Sequence, residues 1–181
     1  MFETRLLSSL SKVFADEELQ DAAVKTGSCL RGEVYSFQVA YRSQELVKGI
    51  EVEVASSLAR HIEVRTVGLV PAEFLGARFD DDVLRTTPGL YPDPLYGLHA
   101  GVDAPPGQWR ALWVQVRVPK RSVQGRHEIA LRLGHGGRLL GSERFVLEVV
   151  PVVLPAQRLI HTSWFHADCI AAHYGDTTWS R

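Results

Sequence analysis

Cysteine is scarce in this chain: among 181 residues only Cys29 and Cys169 are present. Two thiols cannot supply the disulfide framework of small secreted domains, nor a thiolate-rich metal site. A single bridge between them is allowed by the count, but two free, buried thiols are expected. Long apolar runs are also missing; none approaches the ~20 residues that span a bilayer, so no membrane partner is expected. Nor is there an excess of one charge. Lys and Arg number 20 against 21 Asp and Glu, with an isoelectric point near 6.7. Such a balance builds no basic field for phosphate backbones, and nucleic acid is not an expected partner. The opening "MFETRLLSSLSKVFADEELQ" lacks the basic region and unbroken apolar core of a secretory signal, so the chain reads as cytoplasmic unless a leader has been removed.

What is present is the composition of a globular protein, 45% hydrophobic and 23% charged, with enough length for one sizeable core. Period-two alternation dominates from about residue 30. Tyr35, Phe37, Val39 and Tyr41 share one face, and Ile50, Val52 and Val54 alternate with Glu51 and Glu53. Leu112, Val114, Val116 and Val118 form an aliphatic row, as do Ile129, Leu131 and Leu133. One buried and one wet face per strand is the mark of an antiparallel sheet packed on one side. Turn signals at "VKGI", "VQGRH" and "GHGGR" suit a meander or Greek key. The predicted fold is therefore mostly β, an antiparallel two-sheet β-sandwich of immunoglobulin or fibronectin type, with about seven or eight strands. The N-terminal region reads as an early strand followed by a loop or short helix.

"TTPGLYPDPLYGL", Thr86 to Leu98, departs from this pattern. Pro92 and Pro94 remove amide donors and push Tyr91 and Asp93 toward extended conformations. The segment is expected to be a stiff, unpaired connector that packs on the sheet or at a domain interface. After Pro155 the character changes again. "RLIHTSWF" reads as a strand, and "ADCIAAHYG" as a helix capped by Gly175. A strand leading into a helix opens a βα unit. Residues 1–155 are thus expected to form the sandwich, and 156–181 the start of a truncated (β/α) barrel domain or an orphan tail.

Four stretches carry a family resemblance: "RGEVYSFQVA" (31–40), "PGLYPDPL" (88–95), "LWVQVRVPKRSVQGRHEIALRL" (112–133) and "LIHTSWFHADCIAAHYG" (159–175). Together they resemble the N-terminal β-sandwich and first barrel strand of glycoside hydrolase family 123 and its uncharacterised relatives. The resemblance implies a multi-domain enzyme whose sandwich leans on a barrel that cleaves N-acetylgalactosamine-type glycosides. In that family the chemistry is retaining and assisted by the sugar's own acetamido group, an exception to the two-carboxylate scheme. The acidic pair that performs it lies beyond the first barrel strand, so no catalytic residue is carried over to this chain.

Several residues are candidates for other roles. Trp164, His166 and Asp168 lie where a barrel's first strand would end and could bind a sugar, the indole against the ring and the carboxylate accepting hydroxyl protons. For Asp168 the simpler reading, and the favoured one, is that it caps the helix that follows it. Tyr91, Asp93, Tyr96, Trp109 and Trp113 are interface candidates. Trp109 and Trp113 oppose the aliphatic row; exposed, they would form a sugar-stacking platform, and otherwise a loop or domain would cover them. The resemblance favours cover by residues 86–98 or by the barrel.

"FDDDV", Phe79 to Val83, reads as a solvated acidic loop, since it lacks the spacing and glycine of a calcium loop. The seven histidines show no zinc-protease pattern, and "GHGGR" lacks the lysine of a phosphate loop and reads as a hairpin turn. No metal and no cofactor is expected. Two functions follow: a non-catalytic accessory domain partnered in cis with a C-terminal barrel, or a stand-alone sandwich that binds carbohydrate or protein and forms a homodimer.

Overall fold

The computed structural model describes residues 1–73, 83–98, 100–163 and 166–177. The strands, in chain order, are β1 (Phe2–Ser8), β2 (Thr26–Arg31), β3 (Val34–Ser43), β4 (Val47–Ser56), β5 (Ile62–Ala72), β6 (Gly89–Gly97), β7 (Val102–Ala104), β8 (Arg110–Arg117), β9 (Gly125–His135) and β10 (Arg138–Val153). Among the described residues a short 3-10 turn (Ala59–His61) joins β4 to β5, and an α-helix, α1 (Ala167–Tyr174), follows the strands. The strands form two five-stranded sheets, ordered β1-β3-β8-β5-β6 and β2-β10-β9-β4-β7. This is the expected mostly-β sandwich, with more strands than expected. Among the described residues the pairings between these strands are antiparallel except that of β2 with β10, which is parallel. Among the described residues, β5–β6 and β9–β10 are the pairs of consecutive strands that lie side by side in a sheet. The other connections cross or bridge, so the arrangement is not a meander.

Alternation decides which side chains face inward. From the first sheet come Leu6, Phe37, Val39, Tyr41, Leu112, Val114 and Val116; from the second, Ile50, Ile129, Leu131, Leu133, Phe145 and Leu147. The rows read from the sequence are therefore the core. The Phe37 and Phe145 rings stack across the gap, their centroids 4.1 Å apart. "GHGGR" is the β9–β10 turn: His135 pairs with Arg138, and Gly136 and Gly137 both take positive φ, 57° and 77°. Two such residues make the tight turn whose twist suits a hairpin. "VKGI", by contrast, lies inside β4, where Gly49 (φ 63°) sits at an irregularity in the pairing with β7.

Two expectations about irregular segments are corrected. Residues 89–97 are not an unpaired connector but strand β6, at the edge of the first sheet. Proline is tolerated there because an edge strand needs donors on one side only. Val67 pairs with Leu95 and Leu69 with Pro92, so Gly68 alone faces both Asp93 and Pro94. This is a β-bulge, and it absorbs the second proline. At the other end of the chain, "RLIHTS" (158–163) is not a strand; among the described residues its backbone pairs with no other segment, and a lone strand has no ladder. The helix and its left-handed Gly175 cap do form.

Candidate functional site

The outer face of the first sheet carries the most organised side-chain structure. Between β1 and β2, residues 9–25 form a strap across it, without a helix. The strap stays because its backbone is bonded to the sheet. The Gln38 amide donates to the carbonyls of Ser8 (3.0 Å) and Ser11 (2.8 Å), and the Trp109 backbone N–H donates to Ala15 O (3.1 Å). Beneath it Leu7, Val13, Ala40, Trp109 and Ala111 make a second, smaller core, with Leu19 and Val67 against it.

Two arginines clamp the strap from above. Arg42 on β3 lies over the Trp109 ring at 4.5 Å and bonds Glu3 and Glu18. The Arg42 guanidinium holds the Glu18 carboxyl below its ordinary range. Arg85 makes two parallel bonds to Asp16, 2.7 and 2.9 Å, and reaches Glu17 at 3.2 Å. Its side chain is only 7% exposed. The guanidinium lies over Phe14 and Tyr91 at 5.1 and 5.4 Å, and those rings meet edge to face. Planar, weakly hydrated and always charged, arginine suits this aromatic, bidentate setting where lysine would not. Its bonding holds the Asp16 carboxyl below the usual value. Neither arginine was legible as functional; the complementary signal was the acidic run Asp16-Glu17-Glu18.

The interface candidates are divided by this arrangement. Trp109 is 2% exposed and lies under the strap, so its cover comes from residues 13–19 rather than from 86–98. The two tryptophans consequently offer no joint sugar-stacking platform. Trp113 is half-buried and lines a groove of about 240 Å³ with Ser9, Ser11, Gln38, Asp93 and Leu95. Tyr91 lines a neighbouring groove of about 410 Å³ with Phe14, Val70, Leu84 and Asp93. Lys12, Pro92 and Asp93 border both. Tyr96 is 59% exposed and its ring covers Gly68.

Among the tail candidates, Trp164 lies outside the described residues, as do Phe79–Asp82 of the acidic run. His166 and Asp168 are exposed. His166 is the helix N-cap and makes no side-chain cap bond, whereas Asp168 sits within the first turn. Asp168 therefore favours the helix through the dipole and not as its cap. The thiols also divide: Cys29 is buried, but Cys169 is exposed, against expectation. Burial, then Glu33, pushes the Cys29 thiol up to about 11. Among the described residues no three His, Cys, Asp or Glu converge as a metal site, and no helix is long and apolar enough to cross a membrane.

The architecture can be placed beside known proteins. No family model and no curated protein matches the sequence. Among solved structures, a family 123 glycoside hydrolase from Clostridium perfringens, analysed for glycolipid glycan hydrolysis, superposes with a TM-score of 0.64 at 12% identity. The chain shares its fold with part of that hydrolase. The match takes in 86% of this chain but 28% of the hydrolase. AvmM, which catalyzes macrocyclization in alchivemycin A biosynthesis, gives 0.44 at 9% identity over 87% of this chain and 92% of its own. The N-terminal domain of PorA gives 0.36 at 8%, over 83% and 99%. The latter two likenesses are too loose to bear on function.

Proposed function

We infer that this chain is a non-catalytic accessory β-sandwich of a glycoside hydrolase-like protein, supporting a catalytic barrel joined to its C-terminal end. The observation that carries this reading is the fold match, in which most of this chain overlies a minor part of a hydrolase. The tail lends support. Leu159, Ile160, Ile170 and Tyr174 are exposed, and α1 buries none of its residues on the sandwich. Apolar side chains gathered in this way suit cover by another domain. In this reading Trp164, His166 and Asp168 belong to the mouth of the barrel, where they would meet a sugar.

The test has two parts. The reading frame past Arg181 is expected to continue with ~250 residues or more in alternating β and α patterns. The resulting polypeptide is expected to hydrolyse aryl N-acetyl-hexosaminides, and residues 1–181 alone are not. Turnover by the 181-residue chain, or a stop codon after Arg181, would overturn the reading.

Trp113 favours a second reading, a stand-alone sandwich that binds sugar. Its half-buried indole and Asp93 share one groove, an apolar face beside an acceptor. Calorimetric titration with N-acetylated sugars, repeated with Trp113→Ala, separates the two. Equal, weak heats for both proteins would remove it.

A further inference from the structure

At one end of the sandwich four chain segments are tied together, and this end is where β10 leaves the fold. The Gly32 N–H donates to Val118 O and the Val118 N–H to Glu33 O, each at 2.9 Å, joining the β2–β3 turn to the end of β8. Beyond β8, the side chain of Lys120 lies over Gly32, whose φ of 84° and missing Cβ leave room for the lysine stem. Ser57 Oγ contacts His127 Nδ1 and His127 Nε2 contacts Val123 O, both at 2.8 Å, which adds the β4–β5 connection. The Leu154 N–H donates to Arg31 O at 2.8 Å, fixing the point of exit.

The surface so built is lopsided in charge. Arg60, Arg117, Lys120 and Arg121 are exposed there, with Arg31 half-buried beside them. The nearby carboxylates are fewer than these cations, and Glu63 lies 3.9 Å from one of them, Arg117. Glu33 accepts the Leu30 N–H at 2.7 Å, and Glu63 is bonded to Arg65 at 2.7 Å. Val34, Val123, Val152 and Val153 are exposed among these cations. Interspersed apolar and charged groups are the makeup of contacts between domains, which are more polar than obligate interfaces. The chain as a whole is close to neutral, so the basic character belongs to this end and not to the molecule.

We propose that the turns 31–34, 57–61 and 118–124 form the seat of the domain that follows the sandwich, and that the face of that domain which meets them is acidic. The proposal rests on the accessory-domain reading. It adds the surface and the sign of its partner. Charge complementarity sets the pairing, and the exit of β10 holds the partner at high local concentration beside this end rather than beside the Tyr91 groove. β5 runs from Ile62, paired with Val116 near the exit, to Ala72, paired with Gly89 at the groove, so the two lie at opposite ends of the sheet.

The experiment uses the natural polypeptide with its C-terminal domain and a Lys120→Glu/Arg121→Glu variant of it. Both positions are exposed, and the sandwich of the variant is checked by the circular dichroism of residues 1–181 alone. Proteolysis between residues 155 and 166 is expected to be about tenfold faster in the variant, corresponding to ~1.4 kcal/mol of lost docking. Raising the salt should speed cleavage of the parent and leave the variant nearly unchanged. Equal cleavage of the two polypeptides would overturn the docking surface while leaving the accessory-domain reading intact. A stop codon after Arg181 would overturn both. Dimers of residues 1–181 abolished by the same substitutions would assign this end to a second copy, and would likewise overturn the proposal.

Discussion

The Phe37 ring on β3 and the Phe145 ring on β10 stack at 4.1 Å with 10° between their planes, one from each sheet. Neither is more than 1% exposed. Removing one leaves a cavity in rows that cannot close without moving a sheet. Phe145→Ala is expected to cost about 3–5 kcal/mol. Urea unfolding should show a lower midpoint at an unchanged slope; a loss under ~1 kcal/mol would contradict this packing.

Gly68 and Tyr96 form the corresponding pair at the sheet edge. A methyl group at Gly68 would meet the Tyr96 ring, and Pro94 Cγ at 2.9 Å. Gly68→Ala should therefore destabilise the protein, and adding Tyr96→Ala should recover part of the loss. Additive effects in that double-mutant cycle would show that the ring does not lie there.

Arg85→Ala should loosen the strap without unfolding the sandwich. Arg85 joins Asp16, Phe14 and Tyr91, and none of these belongs to the inter-sheet core. Chymotryptic cleavage after Phe14 is expected to quicken while the far-ultraviolet spectrum holds. Unchanged cleavage would mean that Gln38 and the small core under the strap suffice.

Acid should act on the same clamps. The folded state holds the Asp16 and Glu18 carboxyls below their ordinary values of 3.8 and 4.5. Protons thus bind the unfolded chain more readily. The stabilisation is fully present above those ordinary values and is lost as pH falls through the lower folded ones. Arg85→Ala and the parent are therefore expected to differ in strap cleavage at pH 7, and the difference is expected to shrink as the pH falls below 3.8. A difference that does not shrink at all on acidification below 3.8 would rule out the Asp16 pairing as its source.

Thiol titration distinguishes the cysteines. At pH 8 a disulfide reagent should react promptly with Cys169, which is exposed, and with Cys29 only after unfolding, since burial keeps that thiol protonated. Two prompt equivalents would place Cys29 at the surface.

The sandwich was legible because alternation is local. Ile129, Leu131 and Leu133 must share a face in any extended strand, and so must Leu112, Val114 and Val116. The "GHGGR" hairpin was legible for the same reason, since its glycines supply positive φ within a two-residue turn. The site was less so. Pro92 and Pro94 argued against a strand, and only the place of β6 at an edge, with a bulge opposite Gly68, makes them compatible with one. "RLIHTS" had the pattern of a strand, yet pattern supplies no partner.

By itself, then, the amino-acid order determined which residues alternate, which glycines turn and which helix stops at Gly175, since each depends on neighbours within a few positions. Tertiary structure alone decided that Trp109 would be buried by the strap, that Arg85 would find Asp16 at a separation of 69 residues, and that β2 would pair in parallel with β10. Those contacts join distant segments, and their free energy depends on which surfaces the rest of the fold leaves facing one another.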